Sequence, residues 1–85
     1  MNHELRQIET PNFALEQAYD KVSEQIKVLS SSVAITPTGG GQERLSYEFI
    51  GETENGTFYI YLDANSLKQT DIFKVVETEQ GRLLI

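Results

Sequence analysis

Residues 44–63 read RLSYEFIGETENGTFYIYLD, and their reading decides the fold. Apolar and polar residues alternate on both sides of Glu52–Thr57, the pattern of two half-buried strands joined by a turn. Asn55-Gly56 is the strongest local hairpin signal in the chain, and it predicts a two-residue type I′ connection with Glu54 opposite Thr57. That register sets Phe49 opposite Leu62, Gly51 opposite Ile60 and Ile50 opposite Tyr61. Leu45, Tyr47, Phe49, Phe58, Ile60 and Leu62 then share one face, because side chains alternate along a strand. The other face carries Glu48, Ile50, Tyr59 and Tyr61.

Upstream, the period changes. Leu15, Ala18, Tyr19, Val22, Ile26 and Leu29 are spaced 3, 1, 3, 4 and 3 apart, the stripe of an amphipathic helix. Thr10-Pro11 or Asn12 is expected to start it. The hydroxyls of Ser30-Ser31-Ser32 are expected to end it. Residues 1–11 read as a polar lead-in or linker, and residues 12–85 as one module. Val33–Thr36 should form a short strand ending at Pro37. Thr38-Gly39-Gly40-Gly41 reads as a loop, and Gln42–Ile50 as the first long strand. Beyond Asp63, a turn at Ala64–Gln69, a strand at Asp71–Thr78, a turn at Glu79-Gln80-Gly81 and a short strand at Arg82–Ile85 complete the chain. No internal repeat is read from it. The expected fold class is α+β: one N-terminal amphipathic helix on a four- to five-stranded antiparallel meander. One helix covers one side of such a sheet. Ile50, Tyr59 and Tyr61 are therefore expected to form a partly exposed apolar-aromatic patch, the candidate protein-interaction residues.

Composition narrows the function classes. The 85 residues suit a single domain, and 39% hydrophobic with 24% charged residues is an ordinary globular balance. The net charge of −6 comes from both halves: five acids against three bases up to Pro37, eight against four beyond it. Nucleic-acid affinity comes largely from neutralised phosphates, so an acidic chain without a basic cluster argues against such a partner. The same holds for an anionic membrane surface, and no membrane contact is expected of this stretch. There is no cysteine, hence no disulfide, thiolate zinc site or cysteine nucleophile. No apolar run approaches the ~18 residues that span a bilayer, and the first residues have no apolar signal core. Export or anchoring signals of a parent protein would lie outside this stretch.

The candidate chemistry is thin. His3 is the only histidine and has no neighbour to orient or tune it. Gly51 and Gly56 have the spacing of a phosphate loop, but Thr57 stands where that motif needs lysine. Glu52, Glu54 and Asp63 form an acidic group, yet the alternate positions before Gly56 are Gly51, Thr53 and Asn55, a poor calcium loop. Ser30–Ser32 lack a base, and Asn55-Gly56-Thr57 is a glycosylation sequon only in a eukaryotic secretory setting. No catalytic residue, cofactor or metal ligand is expected.

The stretch from Leu45 to Leu84 resembles a PepSY module, the domain of protease propeptides and, in repeated form, of a spore germination protein. The resemblance is carried by Tyr47-Glu48-Phe49 with Gly51, the turn at Asn55-Gly56, Tyr59-Ile60-Tyr61-Leu62-Asp63-Ala64, and Ile72 in the last long strand. Residues 14–29, ALEQAYDKVSEQIKVL, resemble the opening helix of such modules. The likeness covers about residues 13–85 and is nearest to the spore germination repeats. One position departs: Leu67 stands where the family usually has glycine. Either Asn65 takes the left-handed conformation or Leu67 is strained. The resemblance implies a non-enzymatic role: binding and restraining a hydrolase. For the spore type that hydrolase is cortex-lytic, acting on peptidoglycan, and the parent is anchored at the spore inner membrane with these modules outside the cytoplasm. Docking to sibling PepSY modules, self-association into a homo-oligomer, and the inhibitory propeptide of a secreted protease are the alternatives.

Overall fold

The computed structural model describes residues 10–85. Residues 1–9, with His3 and most of the expected lead-in, lie outside the described residues. One helix, α1 (Leu15–Ser23), precedes five strands: β1 (Lys27–Pro37), β2 (Glu43–Thr53), β3 (Gly56–Asp63), β4 (Gln69–Thr78) and β5 (Gly81–Leu84). The strands form one antiparallel meander in the order β1-β2-β3-β4-β5. The expected α+β class, with a helix packed on an antiparallel sheet, is what the chain adopts.

The helix is shorter than its stripe. It stops at Ser23, and Lys27–Ser32, expected in the helix or at its end, belong to β1. The reason is tertiary. β2 is 11 residues long, and only a β1 that begins at Lys27 can satisfy its backbone as far as Gly51 and Glu52. Helix spacing and strand alternation also overlap here, since Val22 and Ile26 fit either period, and only Val28 at the core in place of Leu29 separates the two. Tyr19 and Leu29, the other members of the stripe, are exposed instead. A register shift between Val28 and Ser30 puts Leu29 on a bulge.

The helix start also differs from expectation. Ala14 is the N-cap, and its N–H donates to Gln17 Oε1 at 2.8 Å. Asn12 is committed elsewhere. Its N–H donates to Asn65 Oδ1 (2.9 Å) and its side-chain amide to the Asn65 carbonyl (3.1 Å). The Phe13 N–H donates to the Ala64 carbonyl (3.2 Å), and the Tyr47 hydroxyl to the Phe13 carbonyl (2.6 Å). The segment before the helix is thus tied to the β3–β4 turn and to β2.

The central hairpin forms where expected but in a different register. Glu54 and Asn55 are the loop residues, and Thr53 pairs with Gly56, so Phe49 faces Ile60, Gly51 faces Phe58 and Ile50 faces Tyr59. Gly56 has φ +124°, and Asn55 is not left-handed, so the turn is not type I′. The Thr53 hydroxyl holds it, accepting from the Asn55 N–H (2.9 Å) and donating to the Gly56 carbonyl (3.3 Å). The β4–β5 turn repeats the device: Gln80 N–H to Thr78 Oγ1 (3.2 Å), Thr78 hydroxyl to Gly81 carbonyl (2.7 Å), with Gly81 at φ +134°. Both turns are written Glu-Thr-Glu-x-Gly, at 52–56 and 77–81, a short internal repeat where none was expected.

The slip between expected and observed register is two residues, so every side chain keeps its face. Tyr47, Phe49, Ile60 and Leu62 are buried against Ala18 and Val22, with Leu15, Ile26, Leu45 and Phe58 packed around them. This is the face expected from alternation.

The β3–β4 turn resolves the question raised at Leu67. Leu67 itself is left-handed, at φ +61°, and its side chain packs on the core while its N–H donates to the Asp63 carbonyl at 2.7 Å. A leucine there is strained by about 1–2 kcal/mol. Leu67→Ala should lose the packing and keep the strain, whereas Leu67→Gly should lose the packing and relieve the strain. The glycine variant is expected to be the more stable of the two by about 1 kcal/mol, the reverse of the usual order inside regular structure. Urea denaturation of both variants checks this; an alanine variant equal to or above glycine would show an unstrained turn.

Candidate protein-interaction face

The side of the sheet turned away from α1 is built from alternate residues of three strands. Ile50 of β2, Tyr59 of β3 and Phe73 of β4 are cross-strand partners and form one row. Glu48, Tyr61 and Asp71 form the next. Antiparallel neighbours on one face bring side chains within contact of each other. Tyr61 and Phe73 meet edge to face, with ring centroids 6.1 Å apart and planes at 78°. No helix or strand among the described residues lies over this face. Its aromatics are nonetheless half-buried: Tyr61 packs on Phe73, and the Arg82 side chain of β5 lies beside Tyr59.

Glu48 anchors the polar side. One carboxylate oxygen accepts from the Tyr61 hydroxyl at 2.6 Å and the other from the Ser32 hydroxyl at 3.2 Å. Burial, then the hydrogen bond to Glu48 and its negative charge, push the Tyr61 phenol up to about 12. The neutral phenol is therefore favoured in the folded state. Its contribution to stability is whole below pH 10, the ordinary tyrosine value, and declines as pH rises from 10 toward 12. Tyr61→Phe should cost about 1 kcal/mol at neutral pH, as a hydrogen bond to a charged acceptor is lost at a half-exposed site. It should also flatten the loss of stability between pH 10 and 12. Denaturation curves of both proteins at pH 7 and pH 11 test this, and parallel losses would assign the alkaline transition to other groups.

The three residues expected as an interaction patch share this face. Ile50 and Tyr59 are direct partners, and Tyr61 lies one row away on the same face. Phe73 joins them and was missed, because the faces of β4 follow only from a β3–β4 register that a bulge between Tyr61 and Leu62 makes hard to read. Beyond the patch, Ser46 is fully buried, and its hydroxyl lies 2.8 Å from that of Thr36. Arg44 and Asp63 form a long, partly exposed ion pair of 3.9 Å. Such a pair contributes little to stability.

The face carries apolar rings beside a carboxylate that accepts from the Tyr61 and Ser32 hydroxyls. Among the described residues no group of three or more His, Cys, Asp or Glu side chains is placed to hold a metal ion. On the helix side, a cleft of about 120 Å³ has an apolar floor of Val22, Ile26, Ile60 and Leu62. Its one charged group, Lys21, already donates from Nζ to the Leu67 carbonyl at 3.1 Å.

Over 79 residues the chain is 28% identical to the sporulation protein YpeB of Halalkalibacterium halodurans, covering 93% of this chain and 18% of that protein. Over 66 residues it is 33% identical to YpeB of Oceanobacillus iheyensis (78% and 15% covered), and over 78 residues 30% identical to YpeB of Bacillus subtilis (92% and 17%). The chain is a YpeB-like domain. It spans less than a fifth of the length of the curated relatives it matches. No family model matches it, and no solved structure does. All three relatives are named as sporulation proteins. No helix among the described residues is long and apolar enough to cross a membrane.

Proposed function

We propose that this YpeB-like chain is a non-catalytic PepSY-type binding module that docks and restrains a peptidoglycan hydrolase of the spore cortex, outside the cytoplasm. The observation that carries the reading is the row Ile50–Tyr59–Phe73, with Tyr61 beside it, on a sheet face that no described element covers. Half-buried tyrosine and phenylalanine in a preformed row supply rigid contact area at low entropic cost, the composition enriched in protein interfaces. The similarity to YpeB supplies the sporulation setting, and the resemblance to PepSY modules supplies the hydrolase.

The test is a calorimetric titration of the chain against a cortex-lytic hydrolase, with the double variant Tyr59→Ser/Tyr61→Ser. Affinity is expected to fall at least tenfold, about 1.4 kcal/mol, since central aromatics dominate interface energies. Tyr61 also holds Glu48, so Tyr59→Ser alone is the control that leaves this internal bond in place. Unchanged affinity in both variants would reject the aromatic face as the docking surface.

A further inference from the structure

The most exposed apolar side chains on a strand of the described chain are not on the aromatic face. Val33 and Ile35 of β1 are 57% and 56% exposed. They pair with Tyr47 and Leu45 and so stand on the helix side of the sheet, beyond the reach of the nine-residue helix. β1 is also an edge: its outer side pairs with no strand among the described residues. An unpaired row of N–H and C=O groups is completed by another strand, and proteins guard such edges with charge, bulges or shortness. β1 is 11 residues long and carries no charged side chain from Val28 to Pro37. Its bulge at Leu29 and its proline at 37 bracket the stretch from Ser31 to Pro37 and leave it regular. The opposite edge, β5, is four residues long and carries Arg82.

We propose that two copies of this chain pair antiparallel along β1, about a two-fold axis at Ala34. In that register Val33 of one copy faces Ile35 of the other, and Ile35 faces Val33. Four β-branched side chains that are now more than half exposed then meet across the junction, a favourable cross-strand combination. An isologous contact of this kind needs a surface complementary to itself, and the alternation around Ala34 provides one. Charge selects the same place. A chain of net charge −6 repels its own copy, and β1 is the long edge on which no carboxylate stands. A seven-residue strand pair buries less than the standard interface of ~1,600 Å², so the dimer is weak, with Kd on the order of 0.1–1 mM. This surface is separate from the aromatic face, and the inference does not rest on the hydrolase reading.

Sedimentation equilibrium up to ~1 mM tests it, with an expected monomer–dimer equilibrium in that range. Val33→Lys/Ile35→Lys should weaken the dimer at least tenfold while the fold, read by circular dichroism, is kept, because both side chains are already largely in water. Tyr59→Ser should leave dimerisation unchanged. The absence of native cysteine allows a positional test. Residues directly opposed across antiparallel strands have Cα atoms about 4.5–5.5 Å apart, within disulfide range. A34C should therefore oxidise readily to a covalent dimer, and S31C, which would face Pro37 of the second copy, should not. A strict monomer at ~1 mM would overturn the proposal and leave the edge to a strand of different sequence. So would a dimer indifferent to the lysine pair, or S31C cross-linking as fast as A34C.

Discussion

Phe49→Ala is expected to remove about 3–5 kcal/mol of stability, most of what a domain of this size possesses. Phe49 is fully buried and is the largest side chain to be so. It lies on β2, the strand that joins the longest pairings on either side, and it packs under α1 with Ala18 and Val22. Truncation leaves a cavity the size of a ring between a helix and a sheet, and the sheet cannot collapse into it without breaking its own ladder. The described residues form one core cluster, with no second one to share the loss. Urea denaturation should show a midpoint near zero denaturant or a chain already unfolded at 25 °C. Phe49→Leu, which keeps most of the volume, should cost about 1–1.5 kcal/mol and stay folded. An alanine variant within about 1 kcal/mol of the parent would place the centre of the core elsewhere.

The second large effect is expected at Gly51. A Cβ on Gly51 would lie 2.1 Å from Ile26 Cδ1 and 2.9 Å from Cγ1, because the Ile26 side chain crosses directly over the glycine. Ile26 is the residue with which the chain leaves α1 for β1, so its position sets how the helix meets the sheet. Gly51→Val should overpack this crossing and cost about 3 kcal/mol. Ile26→Ala alone should cost about 1–2 kcal/mol, since the side chain is only partly buried. In the double variant Gly51→Val/Ile26→Ala, valine occupies the space the isoleucine vacates, and the two costs should fall short of their sum by at least 1 kcal/mol. A double-mutant cycle with additive costs would show that the contact is not what requires glycine here.

What the sequence disclosed, and what it withheld, follows from the period of each element. The faces of β2 and β3 were legible because an alternation of period two is insensitive to the two-residue slip that displaced the hairpin. The turn was misread because Asn55-Gly56 is the strongest type I′ signal, while the Thr53 hydroxyl and the positive φ of Gly56 form a different two-residue loop from the same letters. The helix end was misread because residues 22–29 satisfy the helical spacing and most of the strand spacing at once. Only the need to pair Gly51 and Glu52 of β2 decides between them. Ile50, Tyr59 and Tyr61 were found by alternation alone, whereas Phe73 required a register across a bulge. Val33 and Ile35 were placed in a strand, but their exposure depends on how far a nine-residue helix reaches, which no local pattern encodes.

The ties of Asn12 and Phe13 to Asn65 and Ala64 have a kinetic consequence. Every strand of the meander pairs with its neighbours in sequence, so each hairpin closes a short loop and forms early. The contact between Asn12 and Asn65 spans 53 positions, and that between Tyr47 and Phe13 spans 34. Such closures come late, after the sheet has given them a surface to close on. Asn12→Ala should therefore accelerate unfolding several-fold and leave the folding rate nearly unchanged, the behaviour of a residue that acts after the transition state. Stopped-flow measurements of both limbs would show it as a displacement of the unfolding arm alone. The pre-helix segment acts as a latch: it sets how long the folded domain lasts, and hardly how fast it forms.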